Sequence, residues 1–530
     1  MDLAQEFENR ALASYEPVEK LMQKGTSDVQ KFYANETVFL TGGSGFLGKQ
    51  FIEKIFRSCA IKKMYVLIRP KKGKTIQDRI QFILSDPVFD KLRAVKPNFA
   101  EQIVLLEGDV ADIRLGISDK EWEMVAKDTS IIVHMAATIR FDSPIRDAVV
   151  TNVRGTREVI SLAKDCKHIK SFVHVSTGFT HATASRIGKD LREEFHPCPI
   201  SPSAIIGMVE TMEDSRLDNI TAELIKDWPN TYTFTKAIAE ELVRTTAADL
   251  PVAIVKPPLV LTSYIEPSPG WADTSIMTGP CGVLIGVGLG LLRVFYLKSD
   301  LNLNIAPVDM VNNAIIAAGW DSVANRPASD GIPIYTVSST KCGIPWNYFG
   351  SLVRSEEFKH LACPKAVWYC YLIETTNNLL YLFLFWFLHY IPAYVIDGIC
   401  YVMKIKIKGI PSATKVYEKI YKVSKVFGYF MTNEWHFKDD NLVAMINRMS
   451  ETDKTIYNCD VASINYKEFL IRMIVGLRKF IVKDGLIDSE KAYRKQKRLF
   501  YANLVFMTLY IYVWVMIAFY MFKGIKYIVY

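Results

Sequence analysis

The 530-residue chain has no CxxC pair, and its nine cysteines are scattered and odd in number. Cys363 and Cys370 have no histidine nearby at metal-ligand spacing. Neither a disulfide framework nor a zinc site is expected, and this cysteine usage fits a reducing compartment. The first twenty residues, MDLAQEFENRALASYEPVEK, hold no basic segment leading into an apolar run, so no secretory signal is expected. No low-complexity tract and no solenoid period is visible. Acidic residues are missing altogether after Glu490, where seven basic residues occur (Lys491, Arg494, Lys495, Lys497, Arg498, Lys523, Lys526). The net charge is +8, so residues 1–490 carry only +1. That excludes a broad basic surface for nucleic acid, because the excess belongs to one tail.

Apolar residues, by contrast, are plentiful. Half of the chain is hydrophobic, 23% is charged, and the mean hydropathy is +0.11. Those values exclude a disordered chain and supply a large core. They are also too apolar for a wholly soluble enzyme.

After a polar lead-in, residues 1–36, short β-branched runs recur: Thr37–Thr41, Met64–Ile68, Ile103–Leu106, Ile131–Met135, Phe172–Val175 and Val252–Val255. They are continuously apolar rather than alternating, as strands buried on both faces of a parallel sheet should be. Helical stretches such as Lys49–Cys59 and Arg146–Ala163 lie between them. The alternation predicts an α/β fold, a Rossmann-type doubly wound parallel sheet, over residues 37–360. A mainly helical, aromatic-rich domain is expected over 361–490.

Leu504–Phe522 is an uncharged run of nineteen residues. As a helix it would be about 28 Å long, close to the ~30 Å hydrocarbon core of a bilayer. Tyr and Trp are frequent in it and basic residues flank both ends, so a C-terminal transmembrane helix is expected at 504–522. Five basic residues precede it and two follow, which predicts a single-pass anchor with the globular part in the cytosol. A second apolar run, Leu379–Val395, contains His389 and Pro392 and reads as a core helix or an interfacial segment. Val283–Leu297 is broken by Gly286, Gly288 and Gly290; it either lines a tunnel for an apolar ligand or packs closely.

Thr41–Gly48 reads TGGSGFLG, directly after one strand and before a helix. Gly42 and Gly43 allow a tight turn, Gly45 lets the backbone approach a pyrophosphate, and Gly48 lets helix and strand pack. Ser44, Phe46 and Leu47 complete this loop, whose free helix N–H groups suit phosphates. About twenty residues further on, an NAD site usually carries an acidic residue. Here Arg69 stands there, followed by Lys71 and Lys72, and a guanidinium suits a 2′-phosphate. Asp109 and Val110 follow the third strand, where adenine is expected. Ala136, Ala137 and Thr138 follow the fourth, and Pro258 follows the strand at Val252–Val255; these complete the expected cofactor contacts.

Tyr232–Lys236 is a YxxxK, which places the two side chains on one helix face. Unperturbed tyrosine, with a pKa near 10, is a poor acid–base catalyst at neutral pH, and a neighbouring ammonium would lower that value. Ser176 and Thr177 end a predicted strand, and a hydroxyl there can hydrogen-bond an oxygen that becomes negative as hydride arrives. His174, His181, His196 and His389 have no clear partner and read as structural.

FYANETVFLTGGSGFLGK, YVLIRPKKG, HVST, WPNTYTFTKAIAE and IAPVDMVNNAI together resemble segments of the alcohol-forming fatty acyl-CoA reductases, in the extended short-chain dehydrogenase superfamily. HYIPAYVIDG, YFMTNEWHF and GLRKFIVKD resemble the C-terminal domain of that family. The likeness covers nearly the whole chain. It implies NADPH, a long-chain fatty acyl-CoA substrate, and a primary alcohol product; with one cofactor motif in the chain, two hydride transfers at a single site through a retained aldehyde are expected. By the same resemblance Tyr232 and Lys236 form the active pair, and Thr177, with Ser176 as second choice, supplies the hydroxyl. Gly42, Gly45 and Gly48 would hold the pyrophosphate and Arg69 the 2′-phosphate. The sequence departs from the family at Gly178–Phe179, where STAY is common, and at Asn465, where tryptophan is frequent. Membrane lipid is an expected partner, at the endoplasmic reticulum or the peroxisome, and a homo-oligomer is left open. Two other readings compete. Another extended dehydrogenase, of the hydroxysteroid or sugar-nucleotide epimerase kind, would leave the C-terminal domain unexplained. A silent membrane-bound lipid or cofactor sensor would not need Tyr232 and Lys236.

Overall fold

A computed structural model describes residues 1–325, 331–404 and 412–529 of the chain. Seven strands form one parallel sheet: β1 (Thr37–Thr41), β2 (Lys63–Ile68), β3 (Ile103–Glu107), β4 (Ile131–His134), β5 (Ser171–Val175), β6 (Val252–Lys256) and β7 (Ile334–Thr336). Their order across the sheet is β3-β2-β1-β4-β5-β6-β7. This is the doubly wound arrangement, with its switch point between β1 and β4. Successive residues serve opposite faces: Val38 and Leu40 of β1 join one buried cluster, and Phe39 joins the other. Both faces are covered, which is why the strands read as unbroken apolar runs. The helices Phe46–Ser58 and Val308–Ala324 cover one face, through Phe51, Ile55, Val311 and Ile315. Gly155–Asp165 and Thr231–Thr246 cover the other, through Val159, Leu162, Phe234 and Ile238.

The lead-in is ordered as three helices, Leu3–Ala13, Glu16–Met22 and Asp28–Tyr33. It ties the two ends of the chain together. The Tyr33 hydroxyl donates to the Ile316 carbonyl at 2.9 Å, and the Asp2 carboxylate accepts from the Ser489 amide and hydroxyl at 2.8 and 2.6 Å. The C-terminal helices are interlocked with the sheet region through two small parallel pairs, Val294–Tyr296 with Ile373–Thr375 and Asp190–Leu191 with His436–Phe437. A buried ion cluster adds a further tie. Lys54 and Arg57, on the helix after β1, both reach Glu266, and Lys54 also donates to the Ile456 carbonyl at 2.7 Å.

The last helix, Ser489–Val529, is continuous through the basic segment and the apolar run, and most of its described apolar side chains between residues 500 and 522 are exposed. It is long and apolar enough to cross a membrane, as is Asn378–Val402. The side chain of Lys526 lies outside the described residues. The glycines within Val283–Leu297 serve close packing at two points. A Cβ on Gly290 would sit 2.4 Å from the Trp368 carbonyl oxygen, and one on Gly286 would sit 3.2 Å from Leu292 Cβ.

Candidate active site

Gly42, just past β1, has a positive φ of 79°, and a Cβ there would lie 2.9 Å from the Ala136 amide nitrogen. A Cβ on Gly48 would strike the Gly42 carbonyl oxygen at 2.2 Å, and one on Gly43 would strike Val66 at 2.7 Å. Packing therefore accounts for three of the four glycines. Gly45 differs: its φ of −82° suits any residue, and a Cβ would meet only the Gly42 carbonyl oxygen, at 3.3 Å. It caps the helix Phe46–Ser58, whose first amides have no acceptor within the helix. The loop thus offers a flank with free N–H groups, which fits the approach of a dinucleotide pyrophosphate.

The other expected cofactor contacts gather along the same C-terminal edge of the sheet. Thr41 accepts from the Ala136 amide at 3.2 Å and meets His134 Nδ1 at 2.7 Å. Ser44 is exposed, Phe46 stacks on Trp271 at 5.1 Å, and the Leu47 carbonyl accepts from Asn312. Arg69 ends the β2 side and pairs with Asp109, beyond β3, at 2.8 Å. Arg69 is 62% exposed, so this pair is weak and leaves the guanidinium free to turn. Lys71 lies in an exposed turn bridged to Lys74. Val110 is buried against Gly155, where a Cβ would lie 2.7 Å from the Val110 carbonyl oxygen. Ala136 and Ala137 follow β4, and Pro258 is buried just past β6.

Asn230 starts the YxxxK helix, its side chain accepting from the Thr233 amide at 2.9 Å. Tyr232 lies within reach of the Thr177 hydroxyl. Burial pushes the phenol pKa up to about 12, and the Thr177 hydrogen bond opposes this. The sequence expectation that Lys236 lowers that pKa is corrected here. The Lys236 ammonium turns instead to the Val175 carbonyl, at 2.8 Å. Burial brings the Lys236 pKa down to about 8, against the attraction of Glu240 one turn along the helix. Ser176 does not face Tyr232: its hydroxyl donates to Glu240 at 2.5 Å, and the other Glu240 oxygen accepts from Lys256 at 3.0 Å. His134 is held near pKa 3 by burial and then by Lys236, so it stays neutral between Thr41 and Thr156.

Several site residues were not legible in the sequence. Asn152 lies in a π-helical turn, Val150–Arg154, and bonds both the Thr138 amide (2.9 Å) and the Thr235 hydroxyl (2.9 Å), joining the β4 loop to the YxxxK helix. Phe141 sits 5.6 Å from the Tyr232 ring and touches Phe427 and Phe430 of the helix Ala413–Thr432. The Gly178–Phe179 departure answers the same apolar shell. A Cβ on Gly178 would meet the Phe437 ring at 3.2 Å, and Phe179 packs edge-on to Phe430 and Phe437. Asn465 caps the helix Tyr466–Gly476, accepting from the Glu468 amide at 3.1 Å.

Comparison with known proteins agrees with this arrangement. The sequence profiles described as Male sterility protein match residues 40–315 and 388–484. The "Fatty acyl-CoA reductase wat" of Drosophila melanogaster is 37% identical over 91% of this chain and 91% of its own. The human "Fatty acyl-CoA reductase 1" is 34% identical over 89% of this chain and 90% of its own. Among solved structures, the reductase domain of a nonribosomal peptide synthetase from Mycobacterium tuberculosis superposes with a TM-score of 0.54. It shares 18% identity and covers 89% of this chain and 99% of its own, a likeness of fold. Sheet order, glycine loop, YxxxK helix and this similarity over about nine-tenths of the chain agree, and the chain belongs to the fatty acyl-CoA reductase family, as an oxidoreductase with a nicotinamide-cofactor fold.

Proposed function

We propose that the chain uses NADPH to reduce long-chain fatty acyl-CoA to primary fatty alcohol through a retained aldehyde. The observation that carries this reading is the group formed by buried Thr177 and Lys236 and half-buried Tyr232 at the sheet edge, beside the glycine loop and under an aromatic shell. When bound, the nicotinamide supplies hydride to the acyl carbonyl carbon.

The Thr177 and Tyr232 hydroxyls hydrogen-bond the carbonyl oxygen as it gains negative charge. A phenol whose pKa stands near 12 keeps its proton until that charge appears, so Tyr232 is the acid that donates to the oxygen. The C–S bond of the resulting hemithioacetal breaks and its hydroxyl proton passes to the sulfur, so that coenzyme A leaves as its thiol. Tyr232 regains a proton from solvent, and with a second NADPH the aldehyde meets the same two hydroxyls in a second round. Phe141, Phe179, Phe427 and Phe430 hold the alkyl chain out of water. Release of the aldehyde would cost about 0.8 kcal/mol per CH₂, which favours retention between the rounds. Arg69 reaches the 2′-phosphate that distinguishes NADPH.

Residues 37–360 act as the reductase domain and 361–490 as the helical domain that closes over it. The terminal helix anchors the protein in a membrane, with the basic segment before it holding the body in the cytosol. The decisive test is incubation of the full-length protein with NADPH and palmitoyl-CoA, with mass-spectrometric analysis of products. Hexadecanol with two NADPH oxidised per molecule is expected. Absence of alcohol and of cofactor oxidation across a range of chain lengths overturns the reading.

A further inference from the structure

The helix Asn378–Val402 has a closed inner face. Tyr381, Phe385, Leu388 and Ala393 are buried, Tyr381, Phe385 and Ala393 packing against Val294 and Tyr417. Its two potentially charged side chains are both engaged within the protein. His389 Nε2 accepts from the Arg293 amide at 3.0 Å. The Asp397 carboxylate caps the next helix, accepting from the Ala413 and Thr414 amides at 2.8 and 3.0 Å. What remains outward is apolar: Leu379, Phe383, Trp386, Val395, Ile399 and Val402 are 52–78% exposed. So large an uncovered apolar surface marks an interaction site.

Two observations identify the occupant. First, this helix is bonded to the candidate anchor. The Tyr510 hydroxyl donates to the Phe387 carbonyl at 2.9 Å, and the Phe387 ring lies 4.6 Å from Tyr510 and 5.9 Å from Trp514. Tyr510 and Trp514 belong to the uncharged run of the terminal helix, so a bilayer around that run reaches Phe387 as well. Second, the adjoining helix Ala413–Thr432 carries exposed Lys415, Lys419, Lys422 and Lys425 with one acid, Glu418. Lysines at this spacing beside an apolar face suit anionic lipid headgroups.

We infer that the outer face of Asn378–Val402 is a second lipid-docking surface, lying in the same bilayer that receives the terminal helix. The inference rests on the anchor reading given above. It holds the catalytic body down on the lipid rather than on a free tether. It also sets the helix Ala413–Thr432 between bilayer and site: Tyr421 packs on Phe385 at 5.2 Å, and Phe427 on Phe141 at 5.7 Å.

The test is photocrosslinking of the full-length protein reconstituted in phosphatidylcholine–phosphatidylserine vesicles with an alkyne-tagged phosphatidylcholine. Benzoylphenylalanine replaces, one at a time, Phe383, Ile399, Val513 of the terminal helix, and the exposed Phe82 on the sheet region. Lipid adducts are expected at 383, 399 and 513 and not at 82. An adduct at 513 with none at 383 or 399 overturns the docking alone. Chain-to-chain crosslinks in place of lipid adducts at 383 and 399 also overturn it, in favour of a self-interface. No adduct at any of the three overturns docking and anchor together.

Discussion

Two buried charge clusters sit on opposite sides of the sheet, and they are balanced differently. Glu53, Lys54, Arg57 and Glu266 pair two cations with two carboxylates, and Glu266 alone accepts from Lys54 at 2.7 and 2.6 Å and from Arg57 at 2.6 Å. At the candidate active site, Lys236 and Lys256 share one carboxylate, Glu240, and the direct acceptor of Lys236 is a neutral carbonyl. Burial draws the Lys54 pKa down and the Glu53 pKa up in the first cluster, but each of its charges has a direct ionic partner; the second leaves Lys236 without one, and its charge can change near physiological pH. The first is a structural clamp and the second is suited to chemistry, although both are equally buried.

The sharpest way to break the comparison is at the phenol. Tyr232→Phe should lower turnover by about 10²–10⁴-fold, because it removes the proton donor and one of two oxygen ligands. NADPH binding, followed by nucleotide fluorescence, should persist, since no phenol contact is needed there. Normal turnover in this variant would remove Tyr232 from the site.

On the clamp side, Glu266→Gln should leave the activity of the folded enzyme intact while removing ~3–5 kcal/mol of stability, since two buried cations lose their shared partner. The pairing with Lys54 and Arg57 outweighs burial and holds the Glu266 carboxyl down to about 2, against an ordinary 4.5. A carboxyl with a depressed pKa contributes stability that is complete above the ordinary value and lost as pH falls through the folded one. Denaturant titrations of the wild type should therefore weaken between about pH 4.5 and 2, and the variant should show a flatter acid limb. Loss of activity without loss of stability would contradict the division of roles.

Arg69 is exposed and only weakly held by Asp109, and the expected effect is smaller. Arg69→Ala should raise the KM for NADPH by roughly tenfold, as one charge-assisted hydrogen-bond pair is lost, and leave that for NADH nearly unchanged. Equal effects on the two cofactors would assign the 2′-phosphate to another group.

Much of this contrast was out of reach of the sequence, for a physical reason. The glycine loop and the YxxxK are local: each needs only residues within one turn of loop or helix, so spacing alone exposes them. Six of the seven strands were equally visible, because burial on both faces leaves unbroken runs; Ile334–Thr336, three residues long, gave no such run. Glu240 and Lys256 look like ordinary charges until β6 and the helix Thr231–Thr246 bring them together. Asn152 bonds Thr235 across 83 positions, and Phe141 meets Phe427 from the far end of the chain. The same holds for the phenol. Spacing placed Lys236 beside Tyr232, but only the fold turns the ammonium to Val175 and gives the phenol its raised pKa.

The smallest expected effect tests the under-neutralised cluster itself. Glu240→Gln keeps an oxygen for the Ser176 hydroxyl and removes the negative charge that favours the Lys236 ammonium. Lys236 stands near 8, so activity that needs its charge should fall as pH rises through that value. Without Glu240 the ammonium loses its proton more readily, and the alkaline limb of kcat/KM should move to lower pH by less than about one pH unit. A purely packing role for Glu240 would lower the melting temperature and leave the limb in place. A shift toward higher pH would mean that Lys256, released from its carboxylate, has turned away from Lys236, and that the cluster is held by Lys256 rather than by Glu240.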